Sequence, residues 1–294
     1  MTNIDQVITT GTQILVNGLL FGSMYGISAI GLSLIFGTMG IIFIAQGTMI
    51  ILAAYLVYLI KLNYSFDPLL VSFLITPLFF ILGGCIYFLL FRKVADKGKN
   101  PNLLLAFGLM IMLESLISLF FSPNTKAIIT GYTTIGISIM GIRISLVRSI
   151  AFVISISTTI ALLFFLKRTL LGKAVRAATF DMLAASLLGI NTIKVCAFTF
   201  GLGLALAGIA GICVALTYPF DPYFGFIFSL KALIAVAFGG IGHVLGSFLG
   251  GLSLGIIENI SSYLFGGVWE QAISYAAFLL VLMLRPQGLF GGRE

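Results

Sequence analysis

The feature that most constrains this chain is the repeated return, from one end to the other, of an apolar run about as long as a bilayer is thick. A helix needs about 20 mostly apolar residues to cross the hydrocarbon core. Such runs lie near 12 to 36, 42 to 60, 69 to 91, 102 to 121, 147 to 166, 195 to 217, 226 to 240, 243 to 264 and 269 to 285. Only 9% of the residues are charged, against about 25% in an ordinary soluble domain. The breaks are too short to hold an aqueous domain. The expected fold is all-α, a single polytopic membrane domain over residues 1–294 with eight or nine spans. The count turns on the seventh run, which is short and ends in glycines: it either crosses, or enters and leaves by one face.

Basic residues orient the spans. The net charge of +7 comes from 16 Lys and Arg against 9 Asp and Glu. Basic stretches interleaved with aromatics are absent, which argues against nucleic acid. Cytoplasmic loops of membrane proteins collect Lys and Arg. Arg92, Lys93, Lys97, Lys99, Lys167, Arg168, Lys173, Arg176, Lys194, Arg285 and Arg293 fall in breaks that nine spans would place on one side. Lys61, Lys126, Arg143, Arg148 and Lys231 remain. The N-terminus is then outside and the C-terminus inside, and an eight-span count would move one of them across.

Thirty-four glycines are far more than chance placement in helices explains. They recur every four residues at Gly18, Gly22 and Gly26, and at Gly242, Gly246 and Gly250. Each series makes a smooth stripe on one helix face, and small residues let helices approach backbone to backbone in lipid. A glycine break follows the first series at Gly37 and Gly40 and precedes the second at Gly239 and Gly240. Comparable interrupted elements in two halves suggest an internal repeat with a pathway at its interface. Candidate pathway residues cluster at these breaks: Asn17, Gln46, Gly47, Gly240, Gly242, His243 and Glu258.

Catalytic and metal chemistry find no support in the residue inventory. A lone histidine, His243, makes no HExxH pair, and no serine sits in a GxSxG elbow. Cys85, Cys196 and Cys213 are isolated in apolar runs. No G-x-x-x-x-G-K-[ST] loop occurs, so ATP-driven work needs a partner chain. Ionisable groups inside spans are functional candidates by default. Glu114 and Glu258 lie within spans, and Lys231 and His243 flank the second glycine break. Glu258 reads either as a lining of the pathway or as an acceptor for backbone groups freed by the glycines. Asn17, Gln46 and Asn259 read as bonds between helices.

The break from 167 to 194 is too long for a simple connection. Its small and apolar positions, Ala174, Ala177, Ala178, Met182, Ala185 and Leu188, repeat at helical spacing, with Gly189 as a stop. One or two short surface helices are expected. They either rest on anionic lipid or dock a cytoplasmic partner. The docking reading uses Gly172, Arg176, Asp181, Ala184, Ala185, Leu188 and Gly189. The alanines would seat in a partner's groove, and Arg176 and Asp181 would set the register at its rim.

At this point the residues carry a resemblance. GKAVRAATFDMLAASLLGINTIKVCAFTFGLGLALAGIAG is similar to the cytoplasmic loop and following helix of the branched-chain amino acid ABC transporter permeases of the LivH type. NGLLFGSMYGISAIGLSLIFGTMGIIFIAQG, DPYFGFIFSLKALIAVAFGGIGHVLGSFLGGLSLGIIEN and the terminal LRPQGLFG agree with it in the same order. The region from 122 to 146 matches no recognised motif. The resemblance implies a bacterial inner-membrane permease paired with a second, similar permease chain, two cytoplasmic ATPase subunits and an extracytoplasmic substrate-binding protein. ATP and magnesium would sit on the ATPases, with no cofactor on this chain, and the loop 167–194 would be the coupling loop. Gln46 stands where the family commonly has histidine, and His243 where it usually has serine. Urea and short-amide permeases share the motifs, and an ion-coupled transporter using Glu114 or Glu258 is the competing reading.

Overall fold

A computed structural model describes residues 3–64, 66–94, 99–133, 135–139, 142–285 and 288–289. Lys97, Arg293 and half of the terminal motif (Pro286, Gln287, Phe290 and Gly291) lie outside the described residues. The first five helices are α1 (Asn3–Met39), α2 (Gln46–Tyr64), α3 (Pro68–Ile86), α4 (Arg92–Val94) and α5 (Lys99–Phe121). A π-helical turn, Tyr87–Phe91, joins α3 to α4. Then follow α6 (Leu146–Arg168), α7 (Leu170–Phe180), α8 (Met182–Leu187), α9 (Thr192–Thr217), α10 (Phe224–Gly239), α11 (Val244–Phe265) and α12 (Glu270–Leu284). Among the described residues, seven helices are long and apolar enough to cross a membrane, and α10 and α12 are shorter apolar helices. The chain is a polytopic, all-α membrane protein.

The seventh apolar run crosses rather than re-enters. The residues before α10 are tied to one face, because Phe220 forms a β-bridge with Lys126 beyond the end of α5. Its other end leads to Gly242, which lies against the Thr179 methyl of α7 on the opposite face. At about 1.5 Å per residue the 16 residues of α10 span about 24 Å, short of a 30 Å core. Most of α10 is buried against other helices, so protein and not lipid sets the depth it must match. The face bearing α7 and α8 carries Arg92, Lys93, Lys167, Arg168, Lys173, Arg176, Lys194 and Arg285, the side that the basic-residue rule expects to be cytoplasmic.

Helix α9 sits at the centre and is buried on nearly all sides. An apolar stretch with no polar face belongs there. Glycines let three neighbours reach its backbone: Gly201 lies against Phe80 of α3, Gly203 against Gly31 of α1, and Gly211 against Ile50 and Ala53 of α2. Its buried rings form one cluster, with Phe200 4.9 Å from Phe43 and 5.1 Å from Phe91.

The two glycine stripes meet different partners. A Cβ on Gly18 would sit 2.8 Å from the Ile256 Cα, and one on Gly22 would sit 2.7 Å from the Gly251 carbonyl oxygen. On Gly26 it would enter the Phe248 ring at 2.6 Å. The α1 stripe therefore lies on α11, which answers with Gly251 and Gly255. Gly246 and Gly250 face the other way, against Gly239 and Ala235 of α10.

The segment from 122 to 145, opaque in sequence, caps the outer face. It holds an antiparallel hairpin, Gly136–Ile139 with Ile142–Ser145. Gln13 of α1 fixes it by donating to the Arg143 carbonyl and accepting from the Arg143 N–H, both at 2.8 Å. The Tyr132 hydroxyl donates to Asp67 at 2.8 Å. Burial and the Asp67 carboxylate push that phenol up to about 12, so it stays a donor throughout the physiological range.

Because the Gly22 contact is backbone on both sides, even one methyl group forces the helices apart. Gly22→Ala is expected to cost about 1 to 3 kcal/mol, and Gly22→Leu to prevent stable assembly. Gly84→Ala on α3, where nothing lies within 4 Å of the new Cβ, should be neutral. Thermal unfolding of the detergent-solubilised chain measures all three, and equal stability of Gly22→Ala and Gly84→Ala would contradict the packing.

Candidate functional site

The chain leaves α1 at Gly40, whose positive φ of 64° ends the helix. Gly37, expected to be part of the break, is still helical. Ile41, Phe43 and Ala45 are buried, and the chain climbs back into the bundle before α2 starts at Gln46. That start lies beside Gly31 of α1 and Gly203 of α9. Gly31 is six residues before Gly37, or about 9 Å along the helix. Non-helical backbone at this depth needs partners from the protein. Ser229 of α10 supplies them: its hydroxyl donates to the Ile44 carbonyl and accepts from the Gly47 N–H at 2.8 Å. Gly47 and Gly225 let the starts of α2 and α10 touch, with Gly47 against Ser229 and Gly225 against Thr48. Gln46 is fully buried and donates from Nε2 to the Gly203 carbonyl at 3.2 Å, while its Oε1 has no partner among the described residues.

The second break is a tighter turn. Gly240 and Gly242 adopt φ of 87° and 79°, which side chains with a Cβ rarely do. The Gly242 N–H donates to the Ser33 hydroxyl at 3.1 Å, and the backbones of Gly37 and Gly242 approach each other. The two breaks thus meet at the cytoplasmic end, and Thr179 of α7 touches both. They are not equivalent elements, one being a largely buried irregular segment that ends in a turn and the other a glycine turn. His243 is exposed just before α11 and makes no side-chain cap.

Four helices bring charge together in the outer half. Lys231 of α10 is 8% exposed and Glu258 of α11 is 2% exposed, and their Nζ and Oε2 are 2.9 Å apart. Lys231 also donates to the Tyr25 hydroxyl of α1 at 2.9 Å and lies 3.7 Å from Glu270 of α12. Glu258 Oε1 accepts from Ser274 at 3.4 Å. The Tyr25 hydroxyl lies 3.4 Å from that of Tyr218. Glu258 therefore answers a lysine, not backbone groups freed by glycines, because a bare carboxylate at this depth would cost several kcal/mol that only a cation and donors offset. Glu114 is elsewhere, half-buried on α5, accepting from Thr48 at 3.4 Å. The two glutamates form no pair.

The loop from 167 to 194 forms two helices with a cap at each start. Thr169 accepts from Gly172 at 3.0 Å, Asp181 from Leu183 and Ala184 at 2.8 and 3.0 Å, and Asn191 from Lys194 at 3.1 Å. Gly189, with φ of 83°, follows the last turn of α8. Gly172 lies on the α6 backbone at Phe165 and Leu166. Ala178 and Ala185 face the bundle, each 2% exposed, so Ala185 presents nothing to a partner. Asp181 spends its carboxylate on the α8 cap. The outward face carries Phe180, Leu183, Leu187 and Leu188 beside Arg176 and Ala184, with Leu183 73% and Leu187 80% exposed.

This chain matches the family model for the permease component of branched-chain amino acid transport systems over residues 14–282. The chain belongs to this family. The permease is 33% identical to the high-affinity branched-chain amino acid transport system permease protein BraD of Pseudomonas aeruginosa, over 96% of each chain. It is 30% identical to the LivH protein of Escherichia coli, again over 96% of each. The ribose import permease protein RbsC of Haemophilus influenzae is 27% identical over 72% of this permease and 68% of its own length. No solved structure matches.

Of the permease's expected pathway residues, Gln46, Gly47, Gly240 and Gly242 do lie at the breaks. Asn17 is only half-buried beside Gly18, and Asn259 bonds within its own helix to Gly255 at 3.0 Å. Tyr25, Tyr218, Ser229, Glu270 and Ser274 were not legible as site residues. The available signal was the pair of opposite charges inside adjacent spans, Lys231 and Glu258, which cannot be buried singly. Removing one partner, as in Glu258→Leu, should destabilise the permease by about 3 to 5 kcal/mol. The double variant Lys231→Met with Glu258→Leu should recover most of that. Unfolding midpoints of the four proteins test it, and a double variant as unstable as the sum of the singles would contradict the pairing.

Proposed function

We propose that this permease carries branched-chain amino acids across the inner membrane into the cell as part of an ABC importer. It works beside a second, similar permease chain. Two cytoplasmic ATPase subunits hydrolyse ATP with magnesium, and a binding protein delivers ligand from outside. The whole chain acts as one transmembrane unit, with 167–194 as the coupling loop within it. The observation that carries the reading is the family match along almost the whole length, joined to an exposed apolar surface on the basic face. Phe180, Leu183, Leu187 and Leu188 form an apolar face that needs covering, and the family match favours a partner chain over lipid as the cover.

The geometry supports a route for coupling. An ATPase seated on α7 and α8 would move Thr179, which touches Gly37 and Gly242 at once. Both breaks would feel the push, and Ser229 links the first of them to α10. Alternating access then needs only that the two arrangements differ in their contacts with the ATPases. The switch between arrangements would use backbone that is already non-helical, so no regular helix has to break.

Leu183→Asp and Leu187→Asp change exposed side chains and should leave the permease at normal abundance. Both should lower co-purification of the ATPase subunits and reduce ATP-driven leucine uptake at least tenfold in the reconstituted importer. Ala185→Trp, whose side chain points inward, should instead reduce abundance. Wild-type co-purification and uptake in both aspartate variants would remove the loop from the motor contact. Uptake of urea or short amides in place of leucine, isoleucine and valine by the wild-type importer would overturn the substrate assignment.

A further inference from the structure

Between the start of α6, the end of α9 and the outer cap lies an open cavity of about 240 Å3. At roughly 30 Å3 per water it has room for a small solute. Its wall includes Ala127, Thr133, Ser145, Arg148, Thr217 and Tyr218, with no acidic residue among the lining groups.

Arg148 is the unusual member. It stands in the first turn of α6, half-buried, with its guanidinium 4.2 Å over the Phe21 ring. Among the described residues both ion pairs fall on Lys231, and Arg148 has neither a carboxylate partner nor a hydrogen bond. A guanidinium carries five N–H donors, and the ring contact uses none of them. The start of α6 adds the positive end of its helix dipole, with no side-chain cap from Ser145, although the Leu146 N–H is taken by the Ile135 carbonyl. Thr217 lines the same wall, with its hydroxyl oxygen closed off from the cavity. The wall also leads inward: Tyr218 meets Tyr25, and Tyr25 accepts from Lys231.

We infer that this cavity is an entry site for the carboxylate of a small zwitterionic or anionic solute arriving from outside, with Arg148 as its charged ligand and Thr217 and Tyr218 beside it. A carboxylate there gains the bidentate partner that Arg148 lacks. The aliphatic side chain of an amino acid would lie along Ile128 and Ala215, also on the wall. Identification of that solute as a branched-chain amino acid rests on the transport reading above. Occupancy alters the surroundings of Tyr218 and so reaches the buried Lys231 and Glu258 pair.

The test uses the complete importer in vesicles, with Cys85, Cys196 and Cys213 replaced and Ala127→Cys at the exposed rim of the cavity. An impermeant maleimide is added outside in the presence of leucine or leucinamide, which differ only in the carboxylate. Leucine should protect the cysteine and leucinamide should not. Arg148→Gln should raise the protecting concentration of leucine at least tenfold, the loss of one charge-assisted contact. Arg148→Lys should retain part of the protection. Equal protection by leucinamide, or unchanged protection in Arg148→Gln, overturns the site. Leucine uptake by the same wild-type vesicles is read separately. Uptake without protection sinks the cavity proposal alone, and protection without uptake supports the carboxylate site while sinking the transport reading.

Discussion

Backbone contact between α1 and α11 is the constraint on which the rest of the structure depends. Lipid tails are as apolar as leucine, so burying apolar side chains gives helices little reason to associate. Close packing must supply the attraction instead. Gly18, Gly22 and Gly26 on one helix, and Gly251 and Gly255 on the other, remove the side chains that would hold the two apart. Helix α1 is also long, 37 residues. Having seated on α11, it carries Tyr25 to Lys231 and Gly37 to Gly242 without further adjustment. Gly246 and Gly250 dock α10 on the other side of α11, so Lys231 and Glu258 arrive side by side as a consequence of glycine packing.

Two polar features then occupy different depths on the same scaffold. Tyr25 and Gly37 are twelve residues apart on α1, about 18 Å along the axis. The outer site is charged and satisfied, with a lysine between two carboxylates and hydroxyls filling the remaining positions. Such a pair does little for net stability but penalises any arrangement that separates α10 from α11. The inner site is uncharged and built from interrupted backbone, where Gly40, Gly240 and Gly242 adopt glycine conformations and the Ser33 hydroxyl accepts from the Gly242 N–H. Rigidity outside and pliability inside suit a machine driven from its cytoplasmic end.

The membrane class, the nine apolar segments and the glycine faces were legible because they depend on local periodicity and length. Gly18, Gly22 and Gly26 announce a helix contact through their spacing alone. Which helix they touch is set by residues more than 200 positions away, and no pattern within α1 contains that. The start of α2 at Gln46 was misjudged by four residues for a related reason: Ser229, 182 positions from Gly47, stabilises the non-helical stretch. The surface helices show the ambiguity of an amphipathic stripe. Spacing separates a small face from a large one, but not which is covered. Here Ala178 and Ala185 are inside, while Arg176, Ala184 and Leu188 of the expected docking set are outside together with Leu183 and Leu187. Residues 122 to 145 had no readable period because bridges to Gln13, Asp67 and Phe220 hold them.

The central claim is that α10 is a full crossing, which puts the glycine breaks with α7 inside and the Arg148 cavity outside. Labelling of single cysteines in intact cells tests it most directly, using Arg176→Cys, His243→Cys and Ala127→Cys in the background without native cysteines. An impermeant external thiol reagent should modify the cysteine at 127 and should reach those at 176 and 243 only after permeabilisation. Labelling of His243→Cys from outside, with Arg176→Cys still shielded, would show that α10 does not cross and would contradict the account.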